Sequence, residues 1–142
     1  MKILIQKVKF AKLWIKGKLI GEIGDGYILY LGVEKKDKNR EEKIVENLVR
    51  IKFIDEEGKF KKSLKQENKQ LMIISNITLI ARWEKNKPEF TEGPIFEEAK
   101  TIFDNFIYLL KKENLFIISG VFGTEMFVES ENIGPINFVI EI

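Results

Sequence analysis

The sequence predicts an α/β fold in which a mixed or antiparallel β-sheet is covered by two helices, within one compact domain of residues 1–142. Strand-like runs rich in Ile, Leu, Val and aromatic residues predominate along the chain. Only two segments place apolar residues at helical spacing. Strands and helices do not alternate strictly, which argues against a doubly wound nucleotide-binding fold.

The N-terminal quarter of the chain is predicted to form strands. Residues 2–10 and 13–20 are apolar runs interleaved with lysines and broken at Gly17. The glycine-rich loop 21–26 leads into residues 27–33, a nearly continuous apolar run typical of a buried strand. The glycine spacing in this loop matches neither the dinucleotide fingerprint nor the P-loop, so a tight turn is favoured over a phosphate site.

The first helix is predicted to follow a charged loop, residues 34–40. Asn39 and Glu42 have the spacing of a capping box. Apolar residues then recur at helical spacing and are predicted to face the core. They are Ile44, Val45, Leu48, Val49 and Ile51.

The middle of the chain is predicted to contain an acidic turn at residues 55–58, a polar surface loop at 59–68 and a strand at 71–74. This strand runs directly into residues 75–79, which carry two hydroxyls and an amide. Polar groups at the end of a buried strand often build a site. Ordinary strand-end hydrogen bonding is the alternative and, taken alone, the favoured one.

The second helix is predicted to be introduced by residues 91–94, with Pro94 suited to its first turn. Its apolar stripe is predicted to pack on the sheet and consists of Ala99, Ile102, Phe103, Phe106, Ile107 and Leu110. A strand at 115–118, a glycine-bracketed loop at 120–123 and a strand at 126–128 are predicted to follow.

Residues 132–137, Asn-Ile-Gly-Pro-Ile-Asn, form a rigid turn between the apolar runs 126–128 and 138–142. Proline fixes φ near −65°, so the two carbonyls that flank the Gly134–Pro135 bond point in fixed directions. One interpretation is a hairpin turn joining the last two strands, which the sequence alone favours. The other is a preorganised backbone probe directed at a ligand.

The chain contains no histidine and no cysteine. This composition excludes Ser-His-Asp and Cys-His catalysis, histidine-based zinc sites, thiolate zinc sites and disulfides. Any hydrolysis must therefore use carboxylates, lysines, hydroxyls, backbone N–H groups or a group of the substrate. No cofactor and no metal are expected.

Charge and hydropathy say less about partners. A formal net charge of +2 is too small to indicate nucleic acid. Lysines crowd the N-terminal strands, where phosphate contacts and a plain solvated surface are both compatible with the pattern. The apolar start is too short for a signal peptide, and no run approaches the roughly 20 apolar residues of a membrane helix. We therefore expect a cytoplasmic protein without a membrane partner.

Seven motifs, in order and along the whole chain, resemble those of the D-aminoacyl-tRNA deacylases. They are residues 5–8, 21–24, 31–33, 75–79, 88–90, 120–123 with Met126, and 132–137. The resemblance implies a homodimer that hydrolyses the ester joining a D-amino acid to the terminal adenosine of tRNA and also clears glycine mischarged on tRNA for alanine. It also implies a curved, barrel-like sheet.

The resemblance assigns the aminoacyl pocket to residues 75–79, which read Ser-Gln-Phe-Thr-Leu in the family. Ser75 and Thr78 match and inherit a catalytic assignment. Asn76 and Ile77 replace the glutamine and phenylalanine, so Asn76 is predicted to bind substrate and Ile77 to contribute through its backbone.

The family's Asn-x-Gly-Pro-x-Thr motif, with its Gly-Pro bond held cis, enters the partner subunit's site and implies that Gly134, Pro135 and Asn132 contact substrate. Asn137 stands where threonine is usual, and Lys7 stands where arginine is usual. Phe90, Phe122, Gly123 and Met126 lie in the other matched motifs and are also predicted to bind substrate.

The mechanism implied for a chain without histidine relies on geometry and N–H donors, with the ribose 2′-hydroxyl of tRNA helping to activate water. Thr78 as a covalent nucleophile is less favoured, because no base is available to activate it. The alternatives are a deacylase with a shifted preference among misacylated tRNAs and a non-catalytic tRNA-binding homologue.

Overall fold

The computed structural model describes residues 1–142 as ten strands, two α-helices and two 3-10 helices. The strands are β1 (Lys2–Ile15), β2 (Lys18–Ile23), β3 (Gly26–Gly32), β4 (Ile54–Glu56), β5 (Lys59–Lys62), β6 (Gln70–Ser75), β7 (Arg82–Glu84), β8 (Lys87–Glu89), β9 (Ile117–Ser119) and β10 (Phe127–Glu141). The α-helices are α1 (Glu41–Leu48) and α2 (Phe96–Lys111), and the 3-10 helices are Lys35–Asp37 and Ile77–Ile80.

A mixed six-stranded sheet forms the centre of the protein, in the order β10-β1-β3-β6-β9 with β2 alongside β1. β1 is antiparallel to its three neighbours, and it pairs with β3 through residues 2–8 and with β2 through residues 11–15. β3, β6 and β9 run parallel to one another. The predicted mixed sheet with two covering helices is therefore confirmed.

β1 is longer than the sequence predicts. Residues 2–10 and 13–20 were expected to be separate strands, but Lys2–Ile15 is one strand. The chain reverses at Lys16 and Gly17, whose φ values are 49° and 75°. The lysines that interrupt the apolar run lie on the less buried face of a continuous strand, so they do not mark its end.

The larger core lies between one face of the sheet and the helices. The six predicted stripe residues of α2 are all buried there. In α1, Ile44, Val45 and Leu48 are buried, whereas Ile51 lies beyond the helix end and is only partly buried. Helical periodicity thus located the buried faces of both helices.

A second core lies on the opposite face, where the sheet curls so that β2 approaches β6 and β9. It contains Val8, Ala11, Leu13, Ile23, Ile28, Met72 and Ile74. Gly21 permits this approach, because a Cβ atom there would lie 2.8 Å from the Cδ1 atom of Ile118. The sheet is therefore a nearly closed barrel, as the resemblance implied.

Two predicted helix starts are wrong. No capping box forms between Asn39 and Glu42, since the N-cap of α1 is Arg40 and its side chain makes no capping bond. The capping contact occurs upstream, where the Glu34 N–H donates to Asp37 Oδ2 at 2.7 Å. Pro94 does not lie in the first turn of α2; it precedes the N-cap residue, Ile95.

The predicted acidic turn at residues 55–58 is confirmed as the reversal of the β4–β5 hairpin, where Glu57 and Gly58 both have positive φ. The predicted surface loop at 59–68 is partly wrong, because it contains β5 and the buried Leu64. β5 is hard to recognise in the sequence, because three of its four residues are lysines and the strand is largely exposed.

The N-terminal ammonium group is buried in an ionic cluster. It lies 2.5 Å from Asp37 Oδ1 and 3.0 Å from Glu34 Oε2, and it donates to the Ile142 carbonyl at 2.9 Å. Burial alone would raise the pKa of Glu34, but its hydrogen bond to the ammonium, that charge and Lys36 together hold the pKa below its ordinary value. Neither α1 nor α2 is long and apolar enough to cross a membrane.

Candidate active site

A pocket of about 380 Å³ opens at the carboxyl ends of the parallel strands β3 and β6, between the start of α2 and the turn that follows β9. Its lining consists of Leu31, Val33, Ser75, Asn76, Ile77, Pro94, Phe96, Ala99, Phe122, Gly123 and Thr124. Ligands of such sheets bind outside the carboxyl ends of the strands. The pocket is mostly apolar with a few polar groups, as small-molecule sites are.

None of the lining residues has an ionisable side chain. A general acid or base of the usual kind is therefore missing from the pocket wall. The polar groups in the wall are the hydroxyls of Ser75 and Thr124, the amide of Asn76 and the backbone. The pocket can orient a substrate and donate hydrogen bonds, but it cannot take a proton at neutral pH.

A larger depression, of about 610 Å³, lies between α1 and the end of α2 and is lined by Asn39, Arg40, Glu42, Lys43, Val45, Glu46, Leu109, Lys112 and Glu113. Only two of its nine lining residues are hydrophobic, and it is more open to solvent. It has no apolar wall to bury a ligand. The smaller pocket is therefore the better candidate, although volume alone would favour the other.

Asn76 connects the end of β6 to the following 3-10 helix. Its N–H donates to the Leu31 carbonyl at 2.8 Å, which extends the β3–β6 pairing by one bond. Its side-chain Oδ1 accepts from the Thr78 N–H at 3.1 Å and from the Thr78 hydroxyl. The Thr78 N–H is therefore occupied by Asn76 and does not face a ligand.

The rim of the pocket is formed by exposed side chains. Thr78 is exposed and does not line the pocket itself, whereas Ile77 lines it with 57% of its surface exposed. Isolated apolar side chains are common on surfaces. Here, however, Ile77 and the exposed Phe96 both line the same opening, so the rim is apolar.

The turn after β9 closes the other side of the pocket. Phe122 packs edge-on against Phe96, with ring centroids 5.3 Å apart. Gly123 has φ 71°, and a Cβ atom there would lie 2.5 Å from Cε2 of Phe96. Glycine is therefore required at this position both by the backbone and by the neighbouring ring.

β10 contains a four-residue excursion, residues 133–136. Gln6 pairs with Asn137 and Val8 pairs with Asn132, so the excursion lies opposite the single residue Lys7. Because Phe127–Glu141 is one strand paired with β1, the predicted hairpin between residues 126–128 and 138–142 is wrong.

Two asparagine side chains close the base of this excursion. Asn132 Nδ2 donates to the Lys7 carbonyl at 2.9 Å and to Asn137 Oδ1 at 3.2 Å, and Asn137 Nδ2 donates back to Asn132 Oδ1 at 3.4 Å. Gly134 and Pro135, joined by a cis peptide bond, lie at the exposed part of the excursion. A Cβ atom added to Gly134 would meet nothing within 4 Å.

A protein-family model described as D-Tyr-tRNA(Tyr) deacylase matches residues 4–141. A D-aminoacyl-tRNA deacylase of Alteromonas mediterranea is 37% identical over 138 residues, which cover 95% of each chain. Another, of Carboxydothermus hydrogenoformans, is 34% identical over 145 residues, which cover 100% of each chain. The chain belongs to the D-Tyr-tRNA(Tyr) deacylase family.

Two solved structures share the fold of this family member. The c-Myc DNA unwinding element binding protein matches with a TM-score of 0.89 and 29% identity, covering 100% of this chain and 99% of the other. A probable eukaryotic D-amino acid tRNA deacylase matches with a TM-score of 0.85, covering 99% and 98%. At 14% identity, the second likeness shows the fold alone.

The residues predicted from the deacylase resemblance occupy two separate places. Ser75, Asn76, Ile77, Phe122 and Gly123 lie together in the pocket, with Thr78 beside its rim. The second group lies around the β10 excursion and consists of Asn132, Gly134, Pro135, Asn137 and Lys7.

Two predicted residues of this deacylase lie outside both groups. Met126 packs against the second core. It also lies close to the backbone of Gly120, since a Cβ atom added there would be 2.5 Å from the Sδ atom of Met126. Phe90 is partly buried and is not part of the pocket lining; its carbonyl accepts from the Gly93 N–H at 2.9 Å.

Sequence reasoning missed part of the pocket wall: Leu31, Val33, Pro94, Phe96, Ala99 and Thr124. The polar member, Thr124, directly follows the glycine-bracketed loop, which was a usable signal. The aromatic member, Phe96, lies three residues before Ala99 and seven before Phe103, so helical spacing could have located it as the first residue of the α2 stripe.

Proposed function

We propose that this protein hydrolyses the ester bond of D-aminoacyl-tRNA and releases the D-amino acid and tRNA, as a chiral proofreader in translation. As a member of its family the chain is an enzyme, a D-aminoacyl-tRNA deacylase. The observation that supports the mechanism best is the pocket wall without any ionisable side chain. Such a site needs a substrate that brings its own reactive hydroxyl, and the terminal ribose of tRNA carries one.

In the proposed reaction, water adds to the ester carbonyl carbon, the acyl–oxygen bond breaks and the ribose 3′-oxygen leaves with a proton. The neighbouring ribose 2′-hydroxyl assists the proton transfer between water and the leaving oxygen. The pocket orients the ester, with Ser75 and the backbone at Ile77 as hydrogen-bonding groups for the developing oxyanion. No cofactor enters this scheme.

We propose that the protein acts as a homodimer in which Gly134 and Pro135 enter the partner's pocket. The excursion is exposed, and β1 and β3 separate its strand from β6. With neighbouring strands ~4.8 Å apart, the excursion is roughly 14 Å from β6 along its own sheet. The pocket of a second copy is therefore a better destination than its own.

A partly exposed apolar row supports the dimer. Leu4 on β1 pairs with Val139 on β10 and with Tyr30 on β3, so the three side chains share one face of the sheet. This face is opposite to the helices, and Val139 is 69% exposed. Burial of this row against a second copy would remove apolar surface from water beside the excursion.

Chirality is proposed to be decided by exclusion. If the Gly134 and Pro135 carbonyls line the face toward which an L side chain projects, L-aminoacyl esters do not seat, whereas D-aminoacyl and glycyl esters do. Glycyl-tRNA charged on tRNA for alanine is therefore a second proposed substrate. A role in translation places the proposed activity in the cytoplasm.

The test compares hydrolysis of D-Tyr-tRNA and L-Tyr-tRNA by the purified protein. The expected result is release of D-tyrosine only, and equal or absent hydrolysis of the two esters overturns the proposal. Analytical ultracentrifugation tests the assembly separately, since a monomer at assay concentration overturns the cross-subunit part. A Pro135→Ala variant is expected to lose discrimination or rate while it remains folded and dimeric.

A shifted preference among misacylated tRNAs is the second candidate. It is favoured by the Asn76 side chain, which occupies both the N–H and the hydroxyl of Thr78. Comparison of rates on glycyl-tRNA and D-Tyr-tRNA distinguishes it from the first candidate. Binding of tRNA without turnover would favour the non-catalytic alternative.

A further inference from the structure

The Asn76–Thr78 contact fixes the direction of one proton. Asn76 Oδ1 lies 2.5 Å from the Thr78 hydroxyl oxygen. A carboxamide oxygen can only accept, and a hydroxyl has a single proton to donate. That proton is therefore given to Asn76, and Thr78 Oγ1 presents only lone pairs to anything beyond it.

Asn76 is itself held firmly enough to impose this orientation. Its backbone is extended, with φ −146° and ψ 94°, and its N–H is bonded to the Leu31 carbonyl. The same Oδ1 accepts the Thr78 N–H, which closes a short ring between the two residues. Asparagine side chains make such local bonds readily.

We propose that Asn76 is a positioning residue that makes the Thr78 hydroxyl a hydrogen-bond acceptor for an O–H group at the scissile ester. This role rests on the proposed deacylase function. The O–H donor is either the ribose 2′-hydroxyl or the attacking water, which present the same chemistry to Thr78. Thr78 is not a nucleophile in this arrangement, because an amide oxygen does not remove its proton.

The contact itself is tested without substrate, by amide hydrogen exchange at Thr78 measured by NMR. Asn76→Ala is expected to accelerate exchange of the Thr78 N–H at least tenfold, whereas Asn76→Asp, which keeps the accepting oxygen, leaves it within about twofold. Exchange that is unchanged in Asn76→Ala overturns the proposal.

The role is tested with D-Tyr-tRNA by a double-mutant cycle. One neutral hydrogen bond corresponds to a rate change of about 3- to 10-fold. Asn76→Ala is expected to lower kcat by that factor with little change in KM, and Asn76→Ala/Thr78→Val is expected to be no slower than Thr78→Val alone. Thr78→Ser, which keeps the accepting hydroxyl, is expected to keep kcat within about twofold, unlike Thr78→Val. Additive losses overturn the proposal.

A substrate ending in 2′-deoxyadenosine identifies the donor. If Thr78→Val no longer matters on this substrate, the donor is the 2′-hydroxyl; if its effect persists, the donor is water, and both results support an accepting Thr78. A Thr78→Val enzyme with wild-type rates on both substrates overturns the role. If the wild-type protein hydrolyses neither ester, the proposed function fails as well, whereas additive losses in an active enzyme remove only the role of Asn76.

Discussion

The candidate pocket and the β10 excursion are held in shape by different forces. Aromatic packing supports the pocket wall, where Phe122 packs against Phe96 and, behind the wall, against Phe103. The excursion has almost no packing; hydrogen bonds between Asn132, Asn137 and the Lys7 carbonyl close its base, and its outer part is exposed. Substitutions in the pocket should therefore change stability and activity together, whereas those in the excursion should change activity alone.

The largest effect is expected on the pocket side, at Asp37. Its carboxylate pairs with the buried Met1 ammonium and accepts the Glu34 N–H, which fixes the segment directly after Val33 of the pocket wall. Asp37→Asn leaves the ammonium partly unpaired, and we expect a loss of about 3 kcal/mol of unfolding free energy. Urea denaturation measures it. The matched control is Asp104→Asn in the exposed Lys100–Asp104 pair, which should barely change stability; equal losses contradict the prediction.

Gly123→Ala is expected to have the next largest effect. The new Cβ atom meets the Phe96 ring while the backbone keeps φ near 71°, so we expect a loss of about 2 kcal/mol and a fall in deacylation of at least tenfold. Gly58→Ala is the matched control, because Gly58 has φ 73° and open space around it. The difference between the losses of unfolding free energy in the two variants measures the contact with Phe96. Equal losses would contradict the prediction and show that the Phe96 ring moves aside at no cost.

The two regions should also differ in their response to acid. The pKa of Glu34 lies below its ordinary value, so its ion pair stabilises the folded state above the unfolded pKa of about 4.5 and is lost as pH falls through the lower folded pKa. Stability from this source should be constant between pH 7 and about pH 5 and decline below that range. Glu34→Gln should flatten the decline in urea titrations. The asparagine bonds at the excursion have no titrating group, so Asn137→Ala should leave the slope with pH unchanged.

The smallest effect on stability is expected from Gly134→Ala. The position has no positive φ and no atom within 4 Å of the added methyl group, so the unfolding free energy should change by less than about 0.5 kcal/mol. If the excursion enters a partner's pocket, the ratio of D-Tyr-tRNA to L-Tyr-tRNA hydrolysis should nevertheless fall. If Gly134→Ala keeps the wild-type ratio, the proposed role of the excursion in discriminating D from L esters is contradicted.

Periodic patterns predicted most of the fold, because helices and strands bury residues at fixed intervals. The α2 stripe follows from those intervals alone, whereas the buried β3 strand follows from its nearly continuous apolar run. The predictions are wrong where the same spacing of residues is compatible with two different structures. Asn39 and Glu42 have capping-box spacing but form no capping box, whereas Asp37 caps the preceding 3-10 helix and also binds the Met1 ammonium.

The candidate site was predictable only in part. The polar residues after β6 are conspicuous in sequence, and they do lie in the pocket. Phe96 and Thr124 were missed because the pocket is formed by segments distant in sequence that meet at one end of the sheet. At the excursion the sequence favours a hairpin, whereas in the structure β10 pairs with β1 on both sides of Pro135. No local signal in the sequence predicts that long-range pairing.

The absence of titrating groups from the pocket wall also determines which reagents and substitutions can inactivate the enzyme. Reagents that inactivate hydrolases by labelling an activated serine, cysteine or histidine have no target in this wall. A saturation mutagenesis screen should accordingly find graded losses at many positions and no single lethal side chain. If the substrate supplies the reactive hydroxyl, as proposed, inhibitors would have to imitate the end of the RNA.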